Sequence, residues 1–123
     1  MKVRCIQLLD EETGNALEKS SWLTTGYAYY VLSIHMQIGG WLKFQLIGDD
    51  GITPAFHDAE QFEVISDLIP SGWCVSYISG SHFELTPKAW DAPGFWEEYF
   101  DGDSEAVLLF ESEKEKMLEE EYE

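Results

Sequence analysis

Three short stretches of this 123-residue chain hold side chains whose types and spacing could do chemistry. His57-Asp58-Ala59-Glu60 puts an imidazole beside two carboxylates, the composition that general acid–base work near neutral pH requires. His82 and Glu84 stand at alternate positions of a short apolar run, where an extended backbone sets both on one face. Neither pair has a nucleophile or an oxyanion loop beside it, so a hydrogen-bonded or surface histidine is the plainer reading. Asp101, Asp103 and Glu105 recur at every second position like the start of a calcium loop. Ala106 and Ser112, however, stand where that loop requires glycine and its acidic last ligand, and a solvated acidic turn accounts for the pattern. The sequence has no HExxH, CxxC, Gly-rich phosphate loop or GxSxG. It nominates no catalytic, cofactor-binding or metal-ligating residue, and the expectation is a protein that is not an enzyme and carries no cofactor.

Charge is the stronger signal. Twenty-four acids against 7 Lys and Arg give a formal net charge of −17, and 13 of those acids with only 2 of the bases fall from Asp91 onward. Such a surface disfavours direct binding to a nucleic-acid backbone or an anionic membrane, so a protein partner should be basic. Solubility alone asks for a net charge of only about 2–8 in a small domain, and the excess costs folding stability through self-repulsion. At 45% hydrophobic and 15% aromatic residues, the chain nonetheless has the material for a packed core. No signal-peptide pattern or bilayer-length apolar run appears, which points to a cytoplasmic protein with no membrane partner. Cys5 and Cys74 are then read as reduced, buried small hydrophobes.

The elements that must position these residues follow from periodicity. Leu42, Phe44 and Leu46 alternate with Lys43 and Gln45 in a half-buried strand, Trp41–Ile47, followed by an Asp49-Asp50-Gly51 turn. Phe62–Ile65 reads as another strand after a loop. Upstream, Val3–Leu9 is a first strand, Asn15–Thr25 a polar loop, and Tyr27–Gln37 one long strand that Gly39-Gly40 joins to the next as an antiparallel hairpin. Trp73–Ser79 and His82–Leu85 form a second hairpin around Gly80-Ser81. Thr86-Pro87 reads as the start of a short helical turn. Gly94–Asp101 places Phe95, Trp96, Tyr99 and Phe100 on one side of a short helix and Glu97 and Glu98 on the other, the aromatics being core material first and a binding platform second. A last helix, Ser104–Glu121, carries Val107, Phe110, Met117 and Leu118 inward and is capped by Asp103 or Ser104. Its acidic last turns should fray, because negative charge opposes the helix dipole there. The expected architecture is a single α+β domain over residues 1–123, mainly β through residue 85 and mainly helical and acidic from 86. An antiparallel sheet, with an SH3-like barrel as its expected form, lies under C-terminal helices.

LTTGYAYYVLSI, IGDDGITPAFHDAEQFEVIS, IPSGW and PGFWEEYFDGD together resemble small bacterial immunity proteins that accompany polymorphic toxins, including those of contact-dependent growth inhibition. The first two pieces also look like an SH3-like barrel. The resemblance spans roughly Leu23–Asp103. It implies a protein that binds and neutralises one cognate toxin, commonly a nuclease, and it carries over no interface residues. Joined to the charge, it nominates Asp49, Asp50, Asp58 and Glu60 in loops, and Glu97, Glu98, Asp101 and Asp103 on the short helix and its exit turn, as contacts for a basic partner. Three other readings remain open: an acidic nucleic-acid mimic that inhibits a DNA-binding protein, an SH3-like peptide-binding module using Tyr27 and Tyr29, and an enzyme built on His57 or His82.

Overall fold

A computed structural model describes residues 1–122. In chain order it contains β1 (Lys2–Cys5), β2 (Leu8–Leu9), β3 (Ala16–Leu17), β4 (Ala28–Tyr30), β5 (Ser33–Gln37), β6 (Leu42–Ile47), β7 (Pro54–Asp58), β8 (Phe62–Ser66), β9 (Trp73–Ile78), β10 (His82–Pro87), α1 (Phe95–Phe100) and α2 (Ser104–Tyr122). Single 3₁₀ turns lie at Ala59–Gln61 and Lys88–Asp91. All strand pairing is antiparallel, in a three-stranded sheet β4-β1-β8, a five-stranded sheet β7-β6-β5-β10-β9 and the small β2-β3 ladder. The fold is α+β, with its helices at the C-terminal end. These open strand orders do not by themselves make the SH3-like barrel.

The five-stranded sheet is built from the two expected hairpins, with β10 inserted against β5. Gly39, at φ 76°, closes the β5–β6 turn in a conformation that L side chains rarely adopt. Gly48 ends β6 for a different reason. A Cβ there would sit 2.3 Å from the carbonyl oxygen of Trp22, which accepts the Asp49 N–H at 2.8 Å, so the Trp22 loop is pinned against the strand.

The expected long strand Tyr27–Gln37 is two strands in different sheets. Val31 donates its N–H to Met1 and Leu32 donates to Gln45, so consecutive residues bond to different sheets and both side chains are buried. A single alternating strand cannot bury two successive side chains on one face, and the chain crosses between layers at this point. The expected first strand likewise breaks at Ile6-Gln7, and the polar loop contains β3. Pro54–Asp58, expected to be loop, is β7; it lies at the sheet edge, where a proline needs no ladder donor. Thr86 and Pro87 do not start a helix, because pairing with β9 continues through Thr86↔Cys74 and Pro87↔Trp73. The helical turn after them has no side-chain cap.

Direct pairing puts Phe44 and His57 on one face of the five-stranded sheet, and there Phe44 meets Phe62 of the three-stranded sheet at 6.0 Å between ring centroids. The C-terminal segment covers the opposite face. Trp90 stacks on Phe110 at 4.9 Å, and Trp96 and Tyr99 crowd the same ring. Three of the four α1 aromatics are thus core, while Phe100 is exposed. Asp103 caps α2 by accepting the Ala106 N–H at 3.0 Å.

The far end of α2 meets the expectation of fraying with side-chain ties. Glu120 accepts the Ser71 N–H and Glu121 accepts the Met1 ammonium, each at 2.8 Å, and Tyr30 and Tyr122 join through their hydroxyls. Burial alone would raise the Glu121 pKa, but the hydrogen bonds from the ammonium and Ser66 outweigh it and hold the carboxyl below its ordinary value. Glu123, the last residue of that expectation, lies outside the described residues.

Among the described residues β9 is an open edge of the large sheet, with Val75, Tyr77 and Ile78 exposed. Among the described residues no helix is long and apolar enough to cross a membrane. Cys5 is buried as expected, whereas Cys74, expected to be buried, is exposed because it lies on the edge strand β9; both are free.

Candidate functional site

Register across the large sheet lays a polar row beneath the helical cover. Ser76, Glu84, His35, Lys43 and Asp58 are successive partners over five strands, with Ser33–Gln45 pairing alongside. This row is more than a solvated face, since Ser33, Gln45, Glu84 and Thr86 are buried. Above it a cleft of about 280 Å³ opens between the sheet and the α1 segment, with His35, Glu84 and Thr86 on its floor and Phe56, Trp90 and Trp96 among its walls.

The floor holds a hydrogen-bonded cluster. Glu84 Oε2 lies 3.0 Å from His35 Nδ1 and 2.9 Å from His82 Nε2. His35 Nε2 contacts Ser33 Oγ at 3.1 Å, and Ser33 in turn donates to Gln45 Oε1 at 2.7 Å. Because the serine proton goes to Gln45, Ser33 accepts from His35 Nε2–H, and the neutral ring then turns the Nδ1 lone pair toward Glu84. Burial, reinforced by the neighbouring His82, pushes the His35 pKa down to about 4. Burial also raises the pKa of the Glu84 carboxyl, and the neighbouring Asp91 carboxylate adds to the rise. Glu84 Oε2 thus stands between two imidazole nitrogens, within hydrogen-bond distance of both. Such a cluster can share a proton, and its three ligand-type atoms lie within 4.8 Å of one another, close enough to converge on one ion.

The two histidine pairs singled out in the sequence separate here. His82 and Glu84 do meet. His57, Asp58 and Glu60 do not, because alternation turns His57 inward while Asp58 faces the other side and accepts the Glu60 N–H at 2.9 Å. His57 is buried with Nε2 unpartnered, its ring 6.4 Å from Trp22, and burial lowers its pKa. His35 escapes a reading of local motifs. The signal that finds it is the β5–β10 register, which opposes it to Glu84 across 49 residues of sequence.

The eight acidic candidates divide by what they bond. Asp49 accepts from Tyr29 Oη at 2.7 Å and Thr24 Oγ1 at 2.6 Å, and Asp50 accepts the Ile52 and Thr53 N–H groups, each at 3.0 Å. With Asp58 and Asp103, four of the eight hold turns or caps together. Asp49 and Asp50 lie in the turn before β7 and Asp58 and Glu60 at its far end, so these loop acids form no single patch. Glu97, Glu98, Asp101 and Asp103 are contiguous and exposed, and Glu97 also borders the cleft. Tyr27 is exposed, but Tyr29 is buried and bonded to Asp49, so the two do not form an aromatic groove. A scan against protein-family models finds no match, and comparison with curated proteins and with solved structures likewise returns none.

Proposed function

We propose that this protein is a non-enzymatic immunity protein of the cytoplasm, which binds a basic toxin, most simply a nuclease, through α1 and the turn into α2. One observation carries the reading. Phe100 is 59% exposed on the same short helix and exit turn as Glu97, Glu98, Asp101 and Asp103, none of which has an ion-pair partner among the described residues. An exposed aromatic anchor on a segment rich in unpaired carboxylates suits a partner whose Lys and Arg side chains otherwise meet phosphates. The ring would supply affinity, and the charges association rate and selectivity.

The test is to purify the product of the neighbouring reading frame, measure complex formation, and ask whether nuclease activity is blocked. Phe100→Ala should speed dissociation by roughly tenfold or more, as removal of a central anchor does. The triple change Glu97→Gln, Glu98→Gln, Asp101→Asn, which spares the Asp103 cap, should slow association and flatten its salt dependence. Wild-type kinetics in both variants would overturn the reading. Inhibition of a DNA-binding protein in place of a toxin would favour the nucleic-acid mimic.

A further inference from the structure

Away from the α1 acids, the cluster on the cleft floor has the composition and geometry of a metal centre. We propose that His35 Nδ1, His82 Nε2 and Glu84 Oε2 bind a single divalent transition-metal ion of the zinc or cobalt type, at the base of the cleft between the sheet and α1.

Four features carry this. First, two imidazoles and one carboxylate suit a borderline divalent ion such as Zn²⁺ or Co²⁺ better than Mg²⁺ or Ca²⁺, which favour all-oxygen sites. Second, the spacing fits. An ion held about 2.0–2.1 Å from each tetrahedral ligand separates neighbouring ligand atoms by about 3.3 Å. The two nitrogens already stand 3.0 and 2.9 Å from the carboxylate oxygen, and all three atoms fall within 4.8 Å. Third, the ligands are braced as metal ligands usually are. His35 is held through its other ring nitrogen by Ser33, itself fixed by Gln45, while Phe56 packs edge-on against His35 at 4.6 Å and Trp41 against His82 at 6.2 Å. The ligands sit on β5 and β10 and their supports on β5, β6 and β7, with Trp41 immediately before β6, so the site rests on paired strands. Fourth, the site is reachable and its surroundings are acidic. It floors an open cleft whose lining also includes the carboxylates of Asp91 and Glu97.

The chain contains three histidines, which supplies an internal control. His57 faces the opposite side of the sheet and should remain a spectator. The full chain, stripped with a chelator, is titrated with Co²⁺ and followed by proton NMR and visible absorption, then with Zn²⁺ in competition. Stoichiometric binding should shift the ring signals of His35 and His82 paramagnetically and leave those of His57 nearly in place, and Zn²⁺ should displace the cobalt signature. His82→Ala, at the most exposed of the three ligands, should keep the fold and weaken binding at least tenfold. Glu84→Gln, which preserves shape, should do the same. Absence of saturable binding below about 100 μM Co²⁺, equal affinity in wild type and His82→Ala, or shifts shared by all three histidines would overturn the proposal. The last two outcomes would mean that the surface acids alone collect the ion.

Discussion

The two faces of the five-stranded sheet bury histidines in opposite ways. On the face toward β8, His57 is buried beside Trp22, at a cleft that Leu9, Leu17 and Leu23 share with Asp10, Glu11 and Glu12, and its Nε2 has no partner among the described residues. On the face toward α1, His35 has both ring nitrogens engaged, by Ser33 and Glu84, with His82 joined to the same carboxylate. Burial lowers the pKa of both rings. Desolvation alone therefore does not make a site; the difference lies in whether the same strands, read on alternate positions, supply partners that converge.

The largest effect should come from the apolar face. Leu46 is fully buried, and Leu46→Ala should destabilise the protein by about 2–5 kcal/mol in denaturant unfolding, the usual cost of an emptied core site. An unmoved midpoint would mean that the inward face of β6 is misassigned.

On the polar face, Ser33→Ala should cost less, about 1–3 kcal/mol, because it removes no large volume but leaves His35 Nε2 and Gln45 Oε1 without their partner. A cost equal to that of Leu46→Ala would erase the distinction between faces.

A pH series sharpens the comparison further. The folded His57 pKa is depressed, so the unfolded chain binds a proton there more readily. The stabilisation from keeping the ring neutral is complete above its ordinary value of about 6.5 and is lost as pH falls below it toward the folded pKa. His57→Phe, which also removes the unpartnered nitrogen, should reduce the loss of stability between pH 7 and pH 5. An unchanged slope would show that the ring titrates freely in the fold. The smallest effect belongs beyond the cover. Cys74 is exposed on β9, and Cys74→Ala should alter stability by no more than about 0.5 kcal/mol.

Much of the scaffold was legible because its signals are local. The alternation that buries Phe44 and Leu46, though it leaves Leu42 exposed at the strand's start, the glycine at the β5–β6 turn, the aromatic spacing of α1 and the Asp103 cap each act within a few residues. What escaped was set by long-range pairing. The crossover at Val31-Leu32 depends on Met1 and Gln45 accepting from successive amides, and the apolar, alternating context of both residues disguises it. Gln45 reads as a solvent-facing residue until α1 is placed over its side of the sheet. The cleft cluster was half visible, as His82 with Glu84, but His35 joins only through register. Among the acids, composition counts charges without showing which carboxylates are already occupied as caps, and four of the nominated eight are.

The open edge at β9 also has a colloidal consequence. Among the described residues its outer backbone groups have no strand neighbour, while Val75, Tyr77 and Ile78 lie exposed along it, which is the template on which a second molecule could add a strand. A net charge of −17 holds such molecules apart, and that repulsion reaches about 10 Å at 0.1 M salt but only about 3 Å at 1 M. Protein that stays dispersed in dilute buffer should therefore self-associate edge to edge as salt is raised. A lysine introduced at Val75 should suppress this by placing charge on the strand itself, where added salt cannot remove the cost of burying it.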